Sequence, residues 1–294
     1  MKNVFLVLGA QKAGTTTLYK ILEQHPEINC ATKKETKFFI DEELYQRGLD
    51  YYQTSFFTPG KEELPYLDID PGLLYFDFAP QRIYDALGEN VKFIVVLRDP
   101  ALRAYSHFTM ERFRQKENLS FEDAVATEAE RITTREGNLR HSYTSRGFYY
   151  RQIQRYLAFF PLENFRFFVF EEDLANNTAT LVESLCSFMG INFDPQLSFE
   201  VKSNQSRAVR SELADQVLRN PNLLKSLIKQ LIPLRLRRKL RPKMYQLNSV
   251  AKAAKTLPEE QRLSLIKNHF LEDIKQLEQL IGRDLSIWKN SPPQ

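Results

Sequence analysis

Three apolar runs divide the first 170 residues of the chain and predict buried strands. They span residues 4–8, 92–97 and 165–170. The first two runs are almost continuously apolar, which is typical of parallel strands that are covered on both faces. These runs therefore favour a sheet whose strands lie far apart in the sequence.

A helical pattern follows each predicted strand. The first helix is expected over residues 15–24 and the second over residues 100–114, where Pro100 suits the first turn because its missing N–H costs nothing there. A third helix is expected to end at Gly190. Strand and helix in alternation indicate an α/β fold, with a central parallel sheet flanked by helices. We expect a single domain over residues 1–294.

Near the C-terminus, Thr256 and Glu259 have the spacing of a capping box. They predict the start of a long amphipathic helix. The helix is expected to run to about Ile281, because Gly282 is well placed to end it.

The composition is that of a globular protein. Of 294 residues, 43% are hydrophobic and 27% are charged, which is enough for a full core. No apolar run approaches the ~20 residues that cross a bilayer. Cys30 and Cys186 form no disulfide or metal pattern, so we expect a reducing, cytoplasmic location.

Positive charge is concentrated in one segment, at about residues 216–258. It holds eleven of the 41 basic residues and none of the 37 acidic ones. Such a segment attracts polyanions, anionic lipid or an acidic carrier protein, although a solvated helix face has the same composition. No basic motif is interleaved with aromatic residues, so sequence-specific nucleic-acid binding is not expected.

The loop after the first strand has the glycine spacing of a phosphate-binding loop. Gly9 and Gly14 stand five residues apart between a strand and a helix, where backbone amides converge on an anion. A nucleotide-triphosphatase loop would have lysine next, but Thr15 occupies that position and the loop lysine is Lys12. A nucleotide kinase stays an alternative, and so does a loop whose glycines serve packing alone.

A second anion-binding element follows the second predicted strand. Arg98 lies at the carboxyl end of that strand, where open α/β sheets bind their ligands. Ser106 lies eight residues further on, in the following helix. A guanidinium and a hydroxyl suit a phosphate monoester. The alternative for Arg98 is a surface ion pair.

Together these elements resemble the sulfotransferases that use 3′-phosphoadenosine 5′-phosphosulfate, PAPS. Residues 11–17, Gln-Lys-Ala-Gly-Thr-Thr-Thr, are similar to the 5′-phosphosulfate loop of that family. Residues 96–107 are similar to its 3′-phosphate element, and residues 33–39, Lys-Lys-Glu-Thr-Lys-Phe-Phe, to a segment of the heparan sulfate N- and 3-O-sulfotransferases. The resemblance implies a P-loop-like core that binds PAPS.

The resemblance also implies roles for individual residues. Glu35 would be the catalytic base, and Arg98 and Ser106 would hold the 3′-phosphate. Lys12 would bind the donor and act in catalysis, as the cation on the leaving phosphate oxygen. The rest of the 5′-phosphosulfate site would be Ala13, Gly14, Thr15, Thr16 and Thr17.

Sulfuryl transfer suits these residue types. It needs a base near the acceptor, a cation on the leaving oxygen and in-line positioning. We expect it to need no metal, because the transferred group carries a single negative charge. The acceptor would be a hydroxyl or amine of a carbohydrate or metabolite, or an acyl substrate tethered to a carrier protein.

Several residues extend or depart from the family pattern. Lys34, Lys37, Arg146 and Tyr149 are expected to line the acceptor site, although Tyr149 fits a core position equally well. Arg210, in the loop at residues 203–210, is expected to close over the nucleotide. Ile69 stands where the heparan-type enzymes carry a lysine, and Lys37 stands where the 3-O enzymes carry a histidine. His107 and His141 are alternative bases to Glu35.

Overall fold

Five parallel strands form the central sheet of the computed structural model, which describes residues 1–199, 208–209, 249–250 and 256–291. The strand order is β2-β3-β1-β4-β5. Their bounds are β1 (Val4–Gly9), β2 (Asn29–Cys30), β3 (Tyr66–Ile69), β4 (Lys92–Leu97) and β5 (Phe165–Val169). Every residue of β1 and β3 is buried, as expected for strands covered on both faces. The predicted α/β fold with a central parallel sheet is confirmed.

Helices connect the strands. They are α1 (Thr15–Leu22), α2 (Glu42–Tyr45), α3 (Gly48–Phe56), α4 (Ala79–Leu87), α5 (Pro100–Phe113), α6 (Phe121–Ala126), α7 (Glu128–Arg131), α8 (Arg135–His141), α9 (Tyr149–Leu157), α10 (Thr178–Met189), α11 (Glu259–Leu265), α12 (Leu271–Ile281) and α13 (Ser286–Lys289). Two short 3-10 helices span Ser145–Gly147 and Leu162–Asn164. β6 (Ala208–Val209) and β7 (Ser249–Val250) form a separate pair of two-residue antiparallel strands. None of the helices in these ranges has the length and apolarity that a bilayer crossing requires.

The loops that matter for function leave the carboxyl end of the sheet. β1 leads into α1, β4 leads into α5, and β5 leads into a π-helical turn, Phe170–Leu174. β1 pairs with β3 on one side and with β4 on the other, so the loops after these strands start side by side. Ligands of open parallel sheets bind at this edge.

Asp99 fixes the start of α5. Its Oδ1 accepts hydrogen bonds from the amides of Ala101 and Leu102, at 2.8 and 2.9 Å, and Pro100 occupies the first turn as the sequence predicts. Its Oδ2 accepts from Arg262 Nη1 at 2.6 Å, from the far end of the chain. Burial raises the pKa of Asp99, although these hydrogen bonds act in the opposite direction.

The C-terminal helix is not the uninterrupted helix that the sequence predicts. α11 and α12 are separated by a π-helical turn, Ile266–Phe270, and Gly282 then ends α12 with φ 63°. The turn coincides with close packing: a Cβ on Gly147 would lie 2.7 Å from the Phe270 ring.

The predicted capping box is wrong. α11 starts at Glu259, so its N-cap is Pro258 and not Thr256, and a proline side chain has no atom that accepts a hydrogen bond. Both carboxylate oxygens of Glu259 accept from Arg262.

We expect the substitution Arg262→Met to destabilise the fold strongly. The Arg262 and Asp99 side chains are 4% and 3% exposed, so removal of the guanidinium leaves a buried carboxylate without its cation. Such a loss costs about 3–5 kcal/mol, measurable as the free energy of unfolding in urea. Arg135→Met is the control, because Arg135 pairs with Asp41 at 2.9 Å with a 68% exposed side chain. That variant should lose at most about 1 kcal/mol. Equal losses in the two variants would contradict the role of the buried pair.

Candidate functional site

The loop between β1 and α1 is shaped by one glycine. Gly14 has φ 79° and precedes the first residue of α1. A Cβ at this position would lie 2.4 Å from Leu174 Cδ2 and 2.9 Å from Phe170 Cε2. A larger residue would therefore clash with the turn after β5, and its backbone would also be strained at this φ. The packing role and the phosphate-loop role of Gly14 are therefore compatible.

The start of α1 presents backbone donors. Among the described residues, no side chain caps this helix. The loop amide of Ala13 bonds to the Ala10 carbonyl, and that of Thr17 bonds to the Gly14 carbonyl. The first amides of a helix otherwise lack partners, and together with the helix dipole they favour an anion. Thr15 is buried, and Thr16 and Thr17 are half-buried on the same turn.

Lys12 stands in a field of positive charge. Its backbone has φ 72°, a conformation rare for residues other than glycine, and its ammonium lies 3.8 Å from Met110 Sδ. Burial, together with the cations Arg98, Arg114, Arg103 and Lys34, lowers its pKa to about 8. So many positive groups around one half-buried ammonium favour a polyanionic ligand.

Arg98 joins the loop after β4 to the loop after β1. Its Nη1 donates to the carbonyl of Lys12 at 2.8 Å, and its guanidinium carbon lies 4.8 Å from the centre of the Phe170 ring. Glu171 Oε1 lies 3.9 Å from Arg98 Nε and accepts the Asp99 amide at 3.1 Å. Ser106 is half-buried, two turns into α5.

Glu35 lies in the segment after β2. Its amide donates to the Ile69 carbonyl at 3.0 Å, at the carboxyl end of β3. Its Oε1 lies 2.5 Å from Lys34 Nζ, and its side chain is 43% exposed. In the described part of the chain, its second carboxylate oxygen has no hydrogen bond, which leaves that oxygen for an incoming group. Lys34 also acts on the pKa of Lys12, so the structure brings Glu35, Lys34 and Lys12 to one region.

Arg146 and Tyr149 lie deeper than an acceptor contact requires. Arg146 is 4% exposed, stacks at 4.2 Å on the Tyr75 ring and shares a narrow crevice with Gln11 of the phosphate loop. Burial lowers the pKa of Arg146 to about 10. Tyr149 is fully buried, and its hydroxyl donates to the Arg98 carbonyl at 2.7 Å. This placement fits the core alternative for Tyr149, which supports Arg98 from below.

The two histidines named as alternative bases are placed differently. His107 is fully buried, and burial and the neighbouring cations keep its pKa well below the usual range. Its ring nitrogens have no hydrogen-bond partner within the described residues. His141 lies at the end of α8, with Nε2 3.2 Å from the Lys116 carbonyl oxygen. His107 interacts electrostatically with Lys12, but its ring is fully buried, whereas the Glu35 side chain is 43% exposed and open to an acceptor.

Lys37, which is expected to line the acceptor site, and Ile69, which replaces the family's lysine, lie in different surroundings. Lys37 is exposed, with φ 62°. Ile69, at the position of the family's lysine, is a buried strand residue that pairs with Val7. Arg210 and the basic segment at 216–258, apart from residues 249–250 and 256–258, lie outside the described residues.

Sequence reasoning missed three carboxylates that support the site. Glu171 joins the α5 start to Trp288, whose indole donates to Glu171 Oε2 at 3.2 Å. Asp68 and Asp70 lie buried at the end of β3, beneath Glu35. A usable signal was present for Glu171 alone, because it directly follows the apolar run at residues 165–170, where parallel sheets place polar site residues.

Comparisons with known proteins agree with this geometry. The family model described as "Sulfotransferase domain" matches residues 2–230. The chain is 30% identical over 211 residues to the bifunctional heparan sulfate N-deacetylase/N-sulfotransferase 3 of Homo sapiens, which is 67% of this chain and 24% of that protein. It is 25% identical over 164 residues to the heparan sulfate glucosamine 3-O-sulfotransferase 5 of Mus musculus, 54% of this chain and 45% of that one. The chain thus spans less than half of the length of these two relatives.

A solved structure is similar over nearly the whole chain. It is the crystal structure of a sulfotransferase from Alicyclobacillus acidocaldarius, with a TM-score of 0.65, 26% identity and 99% of both chains covered. The resemblance drawn from the phosphate loop and the Arg98 element is thereby confirmed. Because the family model matches more than half of its residues, this chain belongs to the sulfotransferase domain family.

Proposed function

We propose that this sulfotransferase moves a sulfuryl group from PAPS to a hydroxyl or amine of a carbohydrate, with Glu35 as the general base. The observation that carries the proposal is the cationic site at Lys12, whose pKa is lowered to about 8 by burial and by four other cations. A ligand with phosphate at both ends of a nucleoside would neutralise this charge. The uncapped start of α1 adds backbone donors on the same side.

Residues on two loops would hold the donor. Lys12 and residues 13–17 fit the 5′-phosphosulfate, because they combine an ammonium, helix amides and threonine hydroxyls. Arg98 and Ser106 fit the 3′-phosphate, at the end of β4 and on α5. When bound, PAPS supplies the sulfuryl group and a phosphate leaving group.

Glu35 and Lys12 would divide the chemistry between them. Glu35 accepts the proton of the acceptor hydroxyl or amine, while a bond forms between sulfur and the acceptor atom. The sulfur–oxygen bond to the 5′-phosphate breaks, and its electron pair stays on the phosphate oxygen. Lys12 stabilises the charge that develops on this oxygen. The hydrogen bond from Arg98 to the Lys12 carbonyl holds the loop in place for this step.

The carbohydrate acceptor is supported by the relatives, whose names state heparan sulfate as their substrate. Lys34 and the exposed Lys37 flank Glu35 and suit an anionic glycan. No observation on the described residues favours a nucleotide kinase or a carrier-tethered acyl acceptor. A polyanion or carrier partner at the basic segment, a cytoplasmic location and a metal-independent reaction stay predictions.

We also propose that residues 1–294 act as one domain. Contacts between the C-terminal helices and the sheet edge support this. Arg262 bonds to Asp99, Trp288 bonds to Glu171, and Arg283 bonds to Asp173 at 2.6 Å.

Substitution Glu35→Gln should lower kcat by about 10²–10⁴-fold, because the amide cannot accept the acceptor proton. The assay is transfer of labelled sulfate from PAPS to N-desulfated heparan sulfate. Affinity for 3′-phosphoadenosine 5′-phosphate, PAP, should be unchanged. Glu43→Gln, an exposed carboxylate on α2, is the matched control and should keep full turnover. Full turnover by Glu35→Gln would assign the base to another group.

Substitution Arg98→Met should weaken PAP binding roughly ten- to a hundredfold, the loss expected for a hydrogen bond to a charged group. Titration calorimetry with adenosine 5′-phosphate, which lacks the 3′-phosphate, should show a much smaller loss. Arg114→Met is the control, because Arg114 acts on Lys12 from an exposed side chain. Equal losses for the two nucleotides would place Arg98 away from the 3′-phosphate.

PAP binding should weaken as the pH rises above about 8. The free protein loses the Lys12 proton through this range, whereas the bound anion favours the charged ammonium and raises its pKa. Binding near this pH should therefore take up protons, and affinity should fall by up to about tenfold per pH unit. Calorimetry in two buffers of different ionisation enthalpy measures the uptake. Lys12→Met should abolish it, and Lys20→Met, on the exposed end of α1, should retain it.

A further inference from the structure

The turn that carries Glu35 has an unusual backbone. Glu35 has φ 61° and Lys37 has φ 62°, so two residues with full side chains adopt the left-handed conformation within three positions. Such conformations are sparsely populated by residues other than glycine or asparagine, and they persist only where surrounding structure determines them. Neighbouring groups must therefore hold the backbone of this turn.

All three residues of the turn bond to the end of β3. The Glu35 amide donates to the Ile69 carbonyl at 3.0 Å. The Thr36 hydroxyl donates to Asp68 Oδ2 at 2.6 Å, and the Lys37 amide donates to Asp70 Oδ2 at 3.0 Å. The two aspartates thus hold the two residues that follow Glu35, and β3 holds Glu35 itself.

These aspartates are costly to bury. Asp68 and Asp70 are 1% and 2% exposed, and no ion pair reaches either of them in the described part of the chain. Burial and the charge of Asp70 raise the pKa of Asp68 to about 7, and burial raises that of Asp70 to about 6. Asp68 Oδ1 also has no hydrogen-bond partner among the described residues. Buried carboxylates without cations are poor stabilisers, so a role in the site explains them better than a role in packing.

We propose that Asp68 and Asp70 are positioning residues that fix Glu35 for proton transfer, an inference that rests on the proposed role of Glu35. Thr36 transmits the effect of Asp68, and the Lys37 amide transmits that of Asp70. Neither aspartate touches substrate. They act by holding a backbone conformation that would otherwise relax, and they set the direction from which the Glu35 carboxylate meets the acceptor.

One carboxylate oxygen of Asp68, Oδ2, offers an internal control. Asp68 Oδ2 accepts one hydrogen bond from Thr36, on the Glu35 turn, and a second from the Tyr52 hydroxyl at 2.9 Å, on α3. Thr36→Val and Tyr52→Phe each remove one hydroxyl from this oxygen with little change in shape. Only the first removes the link to Glu35. Thr36→Ser keeps that link.

Thr36→Val should lower kcat about ten- to a hundredfold, with PAP affinity unchanged. Thr36→Ser should restore most of the turnover. Tyr52→Phe should lower the melting temperature with little effect on kcat. Hydrogen exchange at residues 33–38, followed by mass spectrometry, should be faster in Thr36→Val than in Tyr52→Phe or the wild type.

The outcomes separate the two hypotheses. If Glu35→Gln is inactive but Thr36→Val keeps full turnover, the positioning role is wrong and the base assignment stands. If Glu35→Gln keeps full turnover, the proposed base is wrong. The exchange measurement needs no acceptor: unchanged exchange in Thr36→Val would overturn the positioning role even if the wild type did not sulfate the chosen glycan.

Discussion

A hydrogen bond of 2.8 Å from Arg98 Nη1 to the carbonyl oxygen of Lys12 joins the loops that follow β1 and β4. This bond places the Arg98 guanidinium against the phosphate loop. The residue that accepts it, Lys12, also carries an ammonium that is surrounded by cations. Much of the surrounding structure keeps this arrangement in place. Tyr149 bonds to the Arg98 carbonyl, and Asp99, the next residue, is fixed by both α5 and Arg262.

Like charges at close range oppose folding, so the site must be stabilised from outside. The carboxylates nearest to it lie at its edges: Glu171 behind Arg98 and Glu35 beside Lys34. Neither carboxylate bonds to the Lys12 ammonium in the described residues. Burial and these neighbouring cations together lower the pKa of Lys12, and an anionic ligand would relieve the repulsion among the cations. The arrangement exchanges some stability of the free protein for affinity toward a polyanion.

The sequence predicted the elements whose signals are local. Apolar runs identified β1, β4 and β5, and the glycine spacing and Arg98 pointed to the loops after β1 and β4 as candidate anion sites. β2 and β3 were missed because two and four residues are too few for a periodic pattern. The capping box at Thr256 failed because α11 starts at Glu259, which places Pro258 at the N-cap and Glu259 in the first helical position. The buried roles of Tyr149, Asp68 and Asp70 depend on which segments pack together, and no spacing along the chain encodes that.

The division of the site among strands has a consequence for how acceptors can differ within one fold. Lys12 and Arg98 depend on β1 and β4, whereas Glu35 depends on β3 through the Ile69 carbonyl. Ile69 carries no charge toward the site, and its backbone serves the turn whatever its side chain is. Under the proposed roles, substitutions at the β3 end can therefore change how Glu35 and the acceptor meet without disturbing the loops after β1 and β4. Of the two departures of this chain from the family pattern, Ile69 lies in this strand and Lys37 lies in the turn bonded to its end, while residues 11–17 and 96–107 keep their family form.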